Sequence, residues 1–171
     1  MMRISQATLL RAIVRVKSMD EAEKGQLTQE IQREQPHLFD SCLVQAKLGV
    51  PVEKIAFLLH LLFVCFQAMK ESGLVWPVIS EDEMDRQMNR FVGLVKLGEG
   101  LEDELKQKAN QQYVDEHSEP ELLAYIQVET SAWLERIDRE DTDKFLLLAA
   151  WNLVNCIASV PLIESPTGKV E

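Results

Sequence analysis

The sequence predicts an all-α fold, a compact bundle of seven or eight helices around two central apolar helices. Hydrophobic residues make up 46% and charged residues 27% of the 171-residue chain, which is an ordinary globular composition. Seven Gly and six Pro are few for an all-β protein, whose turns use both residues. Apolar residues recur with helical spacing, and no Asn-Gly or Asp-Gly hairpin turn occurs.

The first helices are predicted from their capping residues and prolines. Residues 5–17 form an amphipathic first helix. Asp20 and Glu23 have the spacing of a capping box and open a more polar second helix. Pro36 and Pro51 suit the first turns of the third and fourth helices, because a helix needs no N–H at that position.

Two segments are apolar nearly all round and predict the central helices. The first is the fourth helix, residues 51–72, whose residues 52–66 are expected to form the core. The second is the last helix, residues 144–160, with its core part at residues 145–158. A helix that is apolar on every side is stable in water only when other elements cover it.

Three further helices are predicted between the central pair. Ser80 with Glu83, and Ser118 with Glu121, have capping-box spacing and begin the fifth and seventh helices. A polar helix over residues 101–114 lies between them. We expect one all-α domain over residues 1–163, followed by a frayed tail over residues 164–171.

The apolar segments are predicted to be core and not membrane spans. The run at residues 55–66 is interrupted only by His60 and is twelve residues long, whereas a spanning helix needs about 20. The N-terminus lacks the continuous apolar segment of a signal peptide. Its Arg-rich, acid-free character leaves a role as a targeting segment open.

The net charge of −10 argues against nucleic acid and anionic lipid as partners, because both need basic residues on the protein. The first 17 residues differ from the rest, since they contain four basic residues and no acidic one. Arg11 and Arg15 lie one turn apart and are expected to face acidic surface together. We predict that this helix docks on an acidic partner, most simply a second copy in a homodimer.

Cys42, Cys65 and Cys156 lie in apolar helical segments without CxxC spacing. We interpret them as buried hydrophobic side chains, which favours a reducing cytoplasm as the location. Cys156 and His60 would be a nucleophilic pair only if they were in contact and exposed, which nothing in the sequence indicates. No catalytic residue is predicted, although the sequence leaves an enzyme open.

No metal site or cofactor is predicted either. Glu34 and His37 have the E-x-x-H spacing of di-iron helices, but Pro36 between them ends the helix that both ligands would need. The acidic residues from Asp138 to Asp143 lack the Gly and the Glu that an EF-hand loop requires.

Asn152, Asn155 and Ser159 form a polar stripe on the otherwise apolar last helix. Buried amides need hydrogen-bond partners, so this stripe predicts either an internal network or the wall of a pocket. In the second case the protein would bind a small ligand between the core helices, near His60, Asn152 and Asn155.

Trp76 lies in an apolar connection after the fourth helix. Such a connection either folds back over the core or anchors a partner protein. Together with Arg11 and Arg15, it supports our leading functional hypothesis, a self-associating protein-interaction module without enzymatic activity. A small-ligand-binding bundle is the alternative.

Overall fold

The computed structural model describes residues 2–162, which fold into α-helices without a β-strand and confirm the predicted all-α class. The eight helices are α1 (Gln6–Lys17), α2 (Glu21–Glu34), α3 (Pro36–Leu43), α4 (Val52–Glu71), α5 (Glu81–Glu99), α6 (Asp103–Glu116), α7 (Pro120–Arg136) and α8 (Asp143–Ser159). A short 3₁₀ helix, Val44–Leu48, follows α3. The expected tail at residues 164–171 lies outside the described residues.

Side-chain caps begin α1, α2 and α5 within one residue of the predicted starts. Each cap accepts a hydrogen bond from the backbone N–H three residues further on: Ser5 from Thr8, Asp20 from Glu23, and Ser80 from Glu83. These bonds satisfy N–H groups that have no partner within the helix.

The predicted capping box at Ser118 and Glu121 is wrong. Helix α7 begins at Pro120 with Glu119 as its N-cap residue, and no side chain caps it. Ser118 Oγ donates instead to the carbonyl of Ala158, 3.3 Å away. Spacing alone suggested the box, but contacts with distant parts of the chain decide this helix start.

Helices α4 and α8 form the centre of the bundle, as predicted, and they run parallel. Lys54 near the start of α4 pairs with Asp143 at the start of α8. At the opposite end, Arg3 contacts both the last turn of α8 and the segment that follows α4. Leu62 and Leu153 are completely buried between the surrounding helices.

The N-terminal ends of the central pair are joined by an ion pair. Lys54 Nζ lies 2.7 Å from Asp143 Oδ1, and the backbone N–H of Glu140 donates to Asp143 Oδ2 over 2.9 Å. Burial disfavours the carboxylate, but these two hydrogen bonds outweigh it and hold the pKa of Asp143 below its ordinary value. The charge also complements the positive end of the α8 dipole.

The C-terminal end of α8 is closed by Arg3. Its guanidinium donates to the carbonyls of Ala158 at 2.8 Å and Val160 at 2.6 Å, and also to that of Ile157. The same group pairs with Glu119, whose side chain is fully buried. A cation at this position satisfies carbonyls that no helical N–H can reach and complements the negative end of the dipole.

The remaining helices cover the central pair. Helix α1 packs along α4, α7 packs along α8, and α5 lies on another side of α8. Helices α2 and α3 close the bundle beside α4. Helix α6 is the outermost element and buries none of its side chains.

Helix α4 is long and apolar enough to span a bilayer by length and composition, the one such helix in the part of the chain that the structure describes. Its 20 residues exceed the twelve-residue apolar run on which the sequence argument against a span was based. More than half of its most apolar stretch is buried within the protein.

The Arg3–Glu119 pair gives a testable prediction for stability. Glu119→Gln keeps the shape of the side chain but removes the charge beside Arg3 and places an amide against N–H donors. Removing the charge of Glu119 leaves the mostly buried guanidinium of Arg3 without its counter-ion. This change should lower the free energy of unfolding by about 3 kcal/mol, measured in urea melts. Glu121→Gln, in the same helical turn but outside this cluster, is the control and should change it by less than about 0.5 kcal/mol. Equal urea midpoints for the two variants would contradict this role of Glu119.

Candidate functional site

The polar stripe on α8 faces α5 and α6. Asn152 Nδ2 donates to the carbonyl of Met84 in α5 over 3.2 Å. Asn155 Oδ1 accepts from the hydroxyl of Tyr113 in α6 over 2.7 Å. Ser159 Oγ donates back to the Asn155 carbonyl over 2.6 Å, within α8. The predicted ligand-binding residues of α8 therefore lie away from the α4 interface.

His60 does not join them. It is half-buried on α4, where Glu129 and Lys24 are among its charged neighbours, and it lines neither of the two cavities described below. Burial, as the main cause, lowers the pKa of His60. The structure therefore does not bring His60 together with the amides of α8, which point to α5 and α6.

One cavity lies between α3, the 3₁₀ helix, the first half of α5, and α8. We call it the Asn152 cavity, and its volume is about 410 Å³. The 3₁₀ helix shapes one wall, since the tighter turn after α3 turns Gln45 inward while its neighbours stay exposed. The lining residues are His37, Asp40, Ser41, Val44, Gln45, Leu48, Glu81, Met84, Asp85, Met88, Ala149 and Asn152.

Buried polar atoms without a hydrogen-bond partner in the protein are concentrated at the Asn152 cavity. The described residues contain four such side-chain atoms, and three belong to residues of this cavity: Gln45 Oε1, Asn152 Oδ1 and His37 Nδ1. Gln45 and Asn152 are only 5% and 4% exposed. A buried polar atom left unpaired costs about 1–3 kcal/mol, so such atoms are rare in folded proteins.

The orientation of both amides is set by their nitrogen atoms. Asn152 Nδ2 is engaged by the Met84 carbonyl, and Gln45 Nε2 donates to the Ser41 carbonyl over 3.4 Å. In each case the oxygen is the atom left without a protein partner. The cavity therefore offers two hydrogen-bond acceptors on different elements.

Charged residues in the lining are acidic. Asp40, Glu81 and Asp85, all exposed, are among the lining residues, whereas no Lys or Arg of the described chain is. His37 Nδ1 lies 3.5 Å from Glu81 Oε1. The site is consequently negative in potential and lined by apolar and acceptor groups together.

A second cavity of about 210 Å³ lies around Asn155, between α5, α6 and the end of α8. The polar side chains next to Asn155 satisfy its amide oxygen. The backbone N–H of Glu119 donates to His117 Nδ1 over 3.1 Å, so His117 carries its proton on Nε2 and donates it to Asn155 Oδ1 over 3.0 Å. Burial raises the pKa of Tyr113, which also donates to this oxygen. Asn155 thus belongs to an internal network.

The basic residues of α1 meet acidic groups of their own chain. Arg11 Nε lies 3.8 Å from Glu71 Oε2, and Arg15 Nη2 lies 2.6 Å from Glu23 Oε2. Both arginines remain largely exposed, so these pairs contribute little stability. The helix docks on α4 of the same chain, and its role as an interface in a dimer stays a prediction.

Trp76 packs back onto the core. Its ring lies under the Arg3 guanidinium at 4.9 Å, and its Nε1 donates to the Met69 carbonyl at 3.1 Å. Its neighbours Leu74, Val75 and Val78 remain exposed. The connection therefore folds over the core, and the anchoring of a partner stays a prediction.

Sequence reasoning missed Gln45, Asp40 and Asp85 as site residues. They lie on α3, the 3₁₀ helix and α5, and α5 is far from the other two in sequence. Both residue types are common on ordinary helix surfaces. No binding role was predicted for His37, because the E-x-x-H spacing does not make an iron site here. Within residues 2–162, no group of three or more His, Cys, Asp and Glu has the arrangement to hold a metal ion.

Comparison with models of protein families, with curated proteins and with solved structures finds no match for this chain. The chemistry of its own residues is therefore the basis for inferring a function.

The cysteines give a prediction about reactivity. Cys42, Cys65 and Cys156 are free and buried, and burial raises the pKa of each thiol to about 12. Since the thiolate is the nucleophile, we expect no reaction of the folded protein with a disulfide reagent at pH 8 within an hour. Three equivalents should react in denaturing urea. Rapid modification of one thiol in the folded protein would contradict the account and reopen Cys156 as a reactive group.

Proposed function

We propose that this protein binds a small molecule in the Asn152 cavity. The observation that supports the proposal most strongly is the pair of buried amide oxygens, on Gln45 and Asn152, that accept no hydrogen bond from the protein. A molecule that donates to both would recover the free energy that their burial costs. This is the alternative hypothesis of the sequence analysis, with the pocket moved from the α4 side of α8 to the α5 side.

The size and lining of the cavity support the same proposal. Its volume of about 410 Å³ lies in the range typical of ligand sites, about 300–1,000 Å³. Five of its lining residues are apolar: Val44, Leu48, Met84, Met88 and Ala149. Apolar walls favour binding by removing hydrocarbon from water, and the few polar atoms fix the orientation of the ligand.

A comparison with the Asn155 cavity supports the Asn152 cavity as the ligand site. Both asparagines lie on α8 one turn apart, and both are nearly buried. Asn155 Oδ1 accepts two hydrogen bonds from the protein, whereas Asn152 Oδ1 accepts none. The first arrangement maintains the fold by itself, and the second needs a partner from outside the chain.

Native mass spectrometry of the purified protein tests the proposal. We expect a retained small molecule that is lost from Asn152→Leu, because leucine fills the cavity wall and removes the acceptor. Asn89→Leu, the same change at an exposed site on α5, should retain it. The polypeptide mass alone, together with no NMR shift of cavity residues on adding 2-phenylethanol at millimolar concentration, would contradict small-molecule binding.

Self-association is a second candidate function, and the exposed apolar surface of the α5–α6 region favours it. Leu97 is 72% exposed, and the surface also includes Leu94, Val95, Leu101 and Leu105. Large apolar side chains commonly mark an interface where they form a contiguous exposed patch. This surface lies apart from Arg11, Arg15 and Trp76, where the sequence analysis expected the contact.

The charges of α6 favour a second copy of this chain as the occupant of that surface. In an antiparallel pair centred on Leu105, Glu102 and Glu104 of one copy lie alongside Lys106 and Lys108 of the other. A twofold contact is self-complementary in this way. The apolar side chains would supply the affinity, and the exposed charges would set the orientation.

Light scattering after gel filtration tests this second function. We expect a dimer at about 50 μM that becomes monomeric in Leu105→Glu, since the change places a charge at the centre of the contact. Leu10→Glu, the same change at an exposed leucine of α1, should remain dimeric. A monomeric wild-type protein at this concentration would exclude self-association as the function.

A further inference from the structure

The free hydrogen-bonding atoms of the two cavity amides are both acceptors. The amide nitrogens of Gln45 and Asn152 each donate to a backbone carbonyl, whereas their oxygens have no partner in the protein. An amide oxygen accepts hydrogen bonds and cannot donate one. A ligand that matches the cavity must therefore bring N–H or O–H groups.

The charge of the lining residues indicates the charge of the ligand. The lining includes three acidic residues, Asp40, Glu81 and Asp85, all exposed, and no lysine or arginine of residues 2–162. An anionic ligand would meet like charges with no cation to balance them. A positively charged ligand would regain, through the carboxylates and the amide oxygens, the solvation that it loses on entering.

The rest of the lining requires a hydrocarbon body. The side chains of Met84 and Met88 belong to adjacent turns of α5, and Val44, Leu48 and Ala149 complete the apolar part. Methionine side chains adapt to irregular or aromatic shapes because they are unbranched and polarizable. The cavity thus combines an apolar wall, two neutral acceptors and negative charge.

We infer that the ligand is an apolar amine, a hydrocarbon or aromatic body that carries a protonated amino group. An ammonium group has three N–H donors, enough for Asn152 Oδ1, Gln45 Oε1 and one carboxylate. This inference rests on the proposed function, since it names the ligand class for the same cavity. Hydrogen bonds from a charged donor are about twice as strong as neutral ones, so the charge is expected to dominate selectivity.

Three probes of matched shape test the charge requirement. Isothermal titration and NMR would compare 2-phenylethylamine, 2-phenylethanol and phenylacetate with the full chain at pH 7. We expect the amine to bind at least about tenfold more tightly than the alcohol, with no binding of the carboxylate. The NMR shifts caused by the amine should be largest at residues that line the Asn152 cavity.

Two matched variants of α5 test whether the preference for the amine arises at the Asn152 cavity. Asp85→Asn removes one carboxylate of the lining and should weaken amine binding several-fold while leaving 2-phenylethanol unchanged. Asp82→Asn makes the same change three residues earlier, at an exposed residue outside the lining, and should leave both affinities unchanged. Both variants alter exposed side chains, so folding should be unaffected, which circular dichroism would check.

The outcomes separate this inference from the proposed function. Equal affinity for amine and alcohol would overturn the amine inference but leave small-molecule binding standing. Amine binding that survives both Asp85→Asn and Asn152→Leu would also overturn it, because the amine would then bind elsewhere. No binding of the amine at millimolar concentration overturns it as well, whereas the proposed function falls only if native mass spectrometry also shows no retained molecule.

Discussion

The parallel packing of α4 against α8 is the contact on which the rest of the structure depends. Both helices are too apolar to face water, and charged side chains bind at each end of the pair. Asp143 meets Lys54 at the start of α8, and Arg3 meets the last carbonyls at its end. Opposite charges thus complement the two ends of one helix dipole. The Arg3 cluster also includes Glu119 and Trp76, so it positions α7 and the connection after α4.

This arrangement decides what the polar residues of α8 can do. With its apolar face committed to α4, α8 turns Asn152 and Asn155 towards α5 and α6. Helix α6 approaches Asn155 closely enough for Tyr113 and His117 to satisfy it. Asn152 lies where α5, α3 and the 3₁₀ helix leave a cavity, and its oxygen has no protein partner. One stripe on one helix therefore gives a structural network at Asn155 and, at Asn152, the cavity that we propose as a binding site.

Much of the fold could be predicted from the sequence because its signals are local. Capping residues at Asp20 and Ser80, the Pro positions, and the two apolar segments fixed the helix starts and the core. The failure at Ser118 was a failure of local reasoning, since the partner of Glu119 is Arg3, more than a hundred residues away. Residues of the candidate site were only partly predictable. Asn152 was identifiable as a polar residue in an apolar helix. However, α8 is covered by other helices on all sides, and the periodicity of its sequence does not say which of those helices Asn152 faces.

A crystal structure of the protein with bound 2-phenylethylamine tests the central claim most directly. The central claim is that the free acceptor oxygens of the Asn152 cavity bind a hydrogen-bond donor of a small-molecule ligand. The account predicts the amine nitrogen within about 2.7–3.2 Å of both Asn152 Oδ1 and Gln45 Oε1, the normal range for such hydrogen bonds. An amine found elsewhere, or a cavity closed by the protein's own side chains with both oxygens paired internally, would contradict it.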